Sequence, residues 1–245
     1  MIKDGISKED KKIVSFLMVG QSNMAGRGDF GEVPIIENNR CYMLRMGRWQ
    51  RMSEPINPDR DVLNIRFHSG VCLAASFADE VSKHFDKSVG LIPCADGGTS
   101  ISQWQPGEIL FDHAVMMARL AMRTSELGGI IWHQGESDCR GSFESEKYRK
   151  HFLRTMTELR RELNAEHLPL IVGEISEDIS ADWNAKDYPA RFNLLLHELA
   201  SALPGCEVVS SKGLVLKEDG IHFNSPSLRE LGKRYFEKYR EIVER

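Results

Sequence analysis

The sequence predicts a three-layer α/β/α fold built on a parallel sheet. Short, nearly continuous apolar runs alternate with longer stretches of helical period. No low-complexity tract or fixed-period repeat interrupts that alternation. Strands that are apolar on both sides need cover on both faces, and parallel neighbours need a crossover that carries a helix, so the pattern sets helices above and below one sheet. A chain of 245 residues buries roughly 70 to 75% of its unfolded surface without help from disulfides or metal. A single domain over residues 1–245 is expected.

The β-like runs are Ile13 to Val19, Val89 to Pro93, Ile130 to His133, Leu168 to Val172 and Glu207 to Ser210. Helical period appears over Cys72 to His84, Ile109 to Thr124, Glu144 to Leu163, Ala190 to Leu203 and Ser227 to Val243. Ser69-Gly70 and Ser225-Pro226 read as the starts of the first and last of these helices. Cys41 to Arg51, turning at Met46-Gly47-Arg48, reads as a small hairpin inserted after the first strand and decorating the rim.

Composition excludes several classes. The 41% hydrophobic and 28% charged residues rule out wholesale disorder. Thirty-two basic against 36 acidic residues give a net charge of -4 with no long block of either sign, so a nucleic-acid footprint is absent. The five cysteines are odd in number and never form CxxC, and they read as free thiols of a reducing compartment. The start MIKDGISKEDKK is polar, and the apolar run that follows, Ile13 to Val19, reads as too short for a membrane helix and as part of no signal peptide. A cytoplasmic protein that meets neither membrane nor nucleic acid is expected.

Function in an open α/β sheet collects in the loops at the carboxyl ends of the strands. The first loop is GQSNMAGRG, with Ser22 at the apex of a glycine-flanked turn. Such a serine alone is more often a helix cap than a nucleophile, and Met24 replaces the second glycine of an α/β-hydrolase elbow. The second loop, PCADGGTSISQW, pairs Gly97 with Gly98, which lets backbone approach a ligand and offer an N–H to developing negative charge. The third, WHQGESD, crowds polar groups behind an apolar strand, an expensive arrangement unless they face water or one another. His133 and Glu136 with Asp138 or Cys139 could ligate a metal, but no second ligand pair stands at metal spacing, so no metal is expected. Near the end, DGIHFN sets Asp219 three residues before His222. Serine catalysis needs an imidazole to take the hydroxyl proton and an acid to hold its tautomer.

Taken in order, GQSNMAGRG, PCADGGTSISQW, WHQGESD and DGIHFN resemble the successive blocks of the SGNH (GDSL-like) hydrolases, nearest to the sialate O-acetylesterase-like branch, carbohydrate esterase family 6. The resemblance spans Val14 to Asn224. It implies a flavodoxin-like sheet of about five parallel strands, Ser22 as nucleophile, His222 as base, and oxyanion donors in the Ser22 amide, the Gly98 amide and the Gln134 side chain. Asp219 is the acid it favours, with Glu136 in competition, and Gly97 competes with Gly98. The implied reaction removes an O-acetyl group from a sugar, such as an acetylated xylo-oligosaccharide or O-acetyl sialic acid, without any cofactor. Trp49 and Trp104 are candidates for stacking on the sugar, and Arg27, Arg66 and His68 for contacting it. A catalytically inactive carbohydrate-binding protein on the same fold is the alternative, opposed by the presence of every catalytic residue type.

Overall fold

The first apolar run, IVSFLMVG, forms the central strand β1 (Ile13–Gly20) in the computed structural model, which describes residues 13–58, 68–179 and 187–245. Its side chains divide by the period of two that a strand imposes. Ile13, Leu17 and Val19 enter one core, Phe16 and Met18 the other. Both faces of the strand are therefore covered, as the continuous apolar run requires.

The remaining elements follow in chain order: α1 (Ser22–Ala25), β2 (Cys41–Arg45), β3 (Arg48–Arg51), α2 (Leu73–Phe85), β4 (Ser88–Pro93), a 3₁₀ turn (Ile101–Trp104), α3 (Ile109–Ala121), β5 (Glu126–His133), α4 (Ser145–Glu162), β6 (Leu170–Gly173), α5 (Tyr188–Ser201), β7 (Cys206–Val209) and α6 (Ser225–Val243). The sheet has seven strands in the order β3-β2-β4-β1-β5-β6-β7. All neighbours are parallel except β2 and β3. The five strands read from the apolar runs (β1, β4, β5, β6 and β7) occupy the flavodoxin-like order, second-first-third-fourth-fifth, with the switch of direction at β1.

One core packs α3, α4 and α5 against the sheet through residues such as Phe111, Phe152 and Phe192. The other packs α2 and α6 through Phe77, Leu231 and Tyr235. The three expected layers are present. The segment Cys41–Arg51 is a hairpin, but it does not decorate the rim. Cys41, Tyr42 and Met43 pair with Val89, Gly90 and Leu91, so the hairpin extends the sheet by two strands. β5 starts four residues earlier than the apolar run suggested, because Gly128 and Gly129 hide a strand that packs closely; a Cβ at Gly128 would stand 2.4 Å from Val14 Cγ1.

Candidate active site

The carboxyl ends of β1, β4 and β5 meet at the switch point, where adjacent loops diverge and leave room for a site. Gly20 makes the meeting close. At φ 128° it is a conformation that L side chains rarely adopt, and a Cβ there would lie 2.1 Å from the His133 carbonyl oxygen. The next amide, Gln21 N, donates to that same carbonyl at 2.8 Å. Ser22 then opens the short α1.

Ser22 Oγ lies 2.9 Å from His222 Nε2, and His222 Nδ1 lies 2.8 Å from Asp219 Oδ2. Asp219 Oδ1 also accepts the backbone N–H groups of Ile221 at 3.0 Å and His222 at 2.9 Å. The carboxylate, acceptor-only when ionised, fixes the proton on Nδ1 and leaves the Nε2 lone pair toward the serine. Partial burial would raise the Asp219 pKa, but these backbone and imidazole hydrogen bonds outweigh it and hold the carboxyl below the usual range. A cavity of about 450 Å³ is lined by His222 and Asp219 together with Arg27, Phe30, His68 and Lys217.

Gly97 is packed against Ser22: a Cβ there would sit 3.5 Å from Ser22 Cβ and 2.6 Å from Arg27 Nη2. Gly98, at φ 74°, has open space where its Cβ would be. Both glycines thus lie in the loop beside Ser22, the first required by close approach and the second by its turn.

A family model described as carbohydrate esterase, sialic acid-specific acetylesterase, matches residues 12–241. The chain belongs to this family. A probable carbohydrate esterase of Arabidopsis thaliana is 30% identical to it, over 91% of this chain and 89% of that one. The crystal structure of an Arabidopsis thaliana protein superposes with a TM-score of 0.80 at 26% identity, covering 95% of this chain and 99% of that one. A carbohydrate acetylesterase from Xanthomonas citri shares the fold at a TM-score of 0.67 and 16% identity, over 95% of this chain and 57% of that one. The likeness to the SGNH carbohydrate esterases read from the four sequence blocks therefore holds.

Within this family member, two residues of the third block stand where their sequence-based roles do not put them. Gln134 is fully buried, and its Nε2 donates to Thr99 O at 2.9 Å, to Gln21 Oε1 at 3.3 Å and to Asp138 Oδ2, while its Oε1 accepts from Tyr148 Oη at 3.0 Å. An amide so committed presents no donor to a developing oxyanion; it ties the second loop to the third. Asp138 Oδ2 completes that tie by accepting Ile101 N at 2.9 Å. Glu136 does not contact the imidazole of His222. Its Oε1 accepts Asn23 Nδ2 at 2.6 Å and faces His133 Nε2 at 3.6 Å. Burial would raise the Glu136 pKa, but the facing His133 and the Asn23 amide hold the carboxyl below its usual range.

Neither tryptophan is available to a sugar. Trp104, 1% exposed, meets Trp132 edge-on at 5.3 Å and donates to Thr99 Oγ1, and Trp49 is buried with its indole N–H on Thr124. The exposed aromatic at the cavity is Phe30. Arg27 and His68 line the cavity, and Arg66 lies outside the described residues. His133, considered as a metal ligand, spends Nδ1 on Tyr235 Oη at 3.1 Å. Sequence reasoning missed Gln21 and Asn23, because their partners lie more than a hundred residues away.

Proposed function

We propose that this family member is a serine esterase that removes O-acetyl groups from carbohydrates through an acyl-enzyme. The observation that carries this reading is the unbroken hydrogen-bonded chain Ser22–His222–Asp219 beside an open polar cavity. Ser22 Oγ attacks the acetyl carbonyl while His222 Nε2 takes its proton, and the imidazolium returns that proton to the departing sugar hydroxyl. Water, activated by the same imidazole, then releases acetate. Asp219 holds the tautomer and stabilises the imidazolium. The negative charge of both tetrahedral states falls on backbone N–H groups, those of Ser22 and of the Gly97-Gly98 turn. Gln134 supports this arrangement from beneath rather than by direct donation.

The cavity, about 450 Å³, falls within the range of small-ligand sites. Phe30, 58% exposed, offers an apolar face for a sugar ring, with Lys217, Asp29 and Arg27 as polar neighbours. This combination suits a short acetylated sugar, either an acetylated xylo-oligosaccharide or O-acetyl sialic acid, better than a long acyl chain. The test is acetate release from acetylated xylo-oligosaccharides, O-acetyl sialic acids and 4-nitrophenyl acetate by wild type and Ser22→Ala. Wild type should release acetate and Ser22→Ala should lose on the order of 10⁴-fold or more. A folded wild type that binds acetylated sugars without releasing acetate would make it a carbohydrate-binding protein instead.

A further inference from the structure

Asn23 directly follows the nucleophile and is 1% exposed, and all its polar side-chain atoms are engaged. Its Oδ1 accepts the backbone N–H of Phe223 at 3.1 Å, and its Nδ2 donates to Ile221 O at 3.3 Å and to Glu136 Oε1 at 2.6 Å. Ile221 and Phe223 are the two neighbours of His222. One side-chain amide thus grips the backbone on both sides of the base from a position one residue past Ser22. The base-bearing loop is otherwise braced by its own short-range bonds, Lys217 N to His222 O at 2.7 Å and those of Asp219, and reaches the serine segment again through Lys217 Nζ on Arg27 O at 2.9 Å.

The grip works in one orientation of the amide only. Reversed, it would set its oxygen against two acceptor oxygens and its NH₂ against an N–H. Glu136 holds the amide in that orientation together with the two backbone groups, because an ionised carboxylate only accepts. Below it, Tyr235 Oη donates its single hydrogen to Trp132 O at 2.7 Å, so His133 Nδ1, 3.1 Å away, donates to it, and His133 Nε2 stands 3.6 Å from Glu136 Oε1.

We propose that Asn23 and Glu136 are a positioning pair: the buried carboxylate fixes the Asn23 amide, and that amide sets the backbone on both sides of His222 so that Nε2 stands at Ser22 Oγ. The proposal rests on the reading of Ser22 and His222 as nucleophile and base. It gives Glu136 a role in turnover without membership of the triad.

The test measures kcat, KM, the pH profile and thermal unfolding for Asn23→Ala, Glu136→Gln, their double variant and Asp219→Asn, with 4-nitrophenyl acetate as substrate. Asn23→Ala should lower kcat on the order of 10- to 100-fold through misalignment, with KM and the acid limb of the profile unmoved. Glu136→Gln should lower kcat about tenfold with the same signature, and the double variant should be no slower than Asn23→Ala, because the carboxylate acts through the amide. The pair is refuted if Glu136→Gln moves the acid limb as Asp219→Asn does, if the two losses multiply, or if Asn23→Ala keeps kcat within about threefold of wild type. Should Asn23→Ala fail to fold, the near-isosteric Glu136→Gln decides by its KM and pH profile. No turnover by the wild type would sink the esterase reading instead; the rate of Ser22 labelling by a fluorophosphonate, which needs the same alignment but no acetyl ester, then reads the pair.

Discussion

Asp219 grips His222 twice, Oδ2 on the ring Nδ1 at 2.8 Å and Oδ1 on the same residue's backbone N–H at 2.9 Å. Tautomer and loop geometry therefore depend on one carboxylate, and its loss affects both. Asp219→Asn keeps the size but offers an amide hydrogen where an acceptor is needed. Acetate release should fall by about 10³- to 10⁴-fold. The acid limb of the rate profile should move to lower pH as the imidazolium loses its counter-charge. Steady-state assays across pH check both; a nearly silent Asp219→Asn would remove it from the triad.

Acidification separates function from stability. Asp219 and Glu136 are both held below the usual carboxyl range. A group whose folded pKa is depressed contributes stability fully above its unfolded value, about 4, and loses it only as pH falls through the lower folded value. Turnover is the more sensitive of the two, because it needs an imidazole able to take the serine proton as well as a folded chain. On descending pH, acetate release should vanish while circular dichroism still reports a folded chain. Simultaneous loss of both would contradict this order.

Gln134→Ala should be a stability variant as much as a kinetic one. It removes a partner from the buried Thr99 carbonyl and Tyr148 hydroxyl and from the half-buried Asp138. The expected cost is about 2 kcal/mol, read as a lowered unfolding midpoint in denaturant, together with reduced turnover. Reduced kcat at unchanged stability would restore Gln134 as a direct oxyanion donor.

Phe30→Ala should raise KM for an acetylated oligosaccharide roughly tenfold, equivalent to about 1.4 kcal/mol, and leave 4-nitrophenyl acetate turnover near wild type. The contrast between the two substrates isolates contact with the sugar. Equal effects on both would place Phe30 outside the sugar site.

Alkylating reagents should leave the folded protein unmodified and its acetate release unchanged. Burial pushes the thiols of Cys41, Cys72 and Cys206 up to about 12, and raises Cys94 and Cys139 as well. Little thiolate, the reactive form, exists near neutral pH. Mass spectrometry after iodoacetamide treatment should find alkylation only once the chain is unfolded; rapid inactivation of the native protein would contradict the burial.

The strands and helices were legible because each signal is local. The run Ile13–Val19 and the helical period of Ser227–Val243 lie within single elements. The place of the Cys41–Arg51 hairpin was not, since joining the sheet depends on β4, where Cys41 pairs with the distant Val89. Ser22, Asp219 and His222 stood out through the order of their blocks. The orientation of Gln134 could not, because it is set by Thr99, Asp138 and Tyr148 from three different segments. The grip of Asn23 on the His222 loop is equally invisible in sequence, spanning about two hundred residues.

The serine follows the first strand of the sheet, while its base directly precedes α6. During synthesis Ser22 emerges early, and its proposed proton acceptor follows only after every later crossover. α6 packs beside α2 through residues such as Leu228 and Leu231, and the loop carrying His222 leads directly into it. In the proposed mechanism a chain whose last helix is not in place has no proton acceptor at Ser22, so acetate release would report that the C-terminal helix has docked.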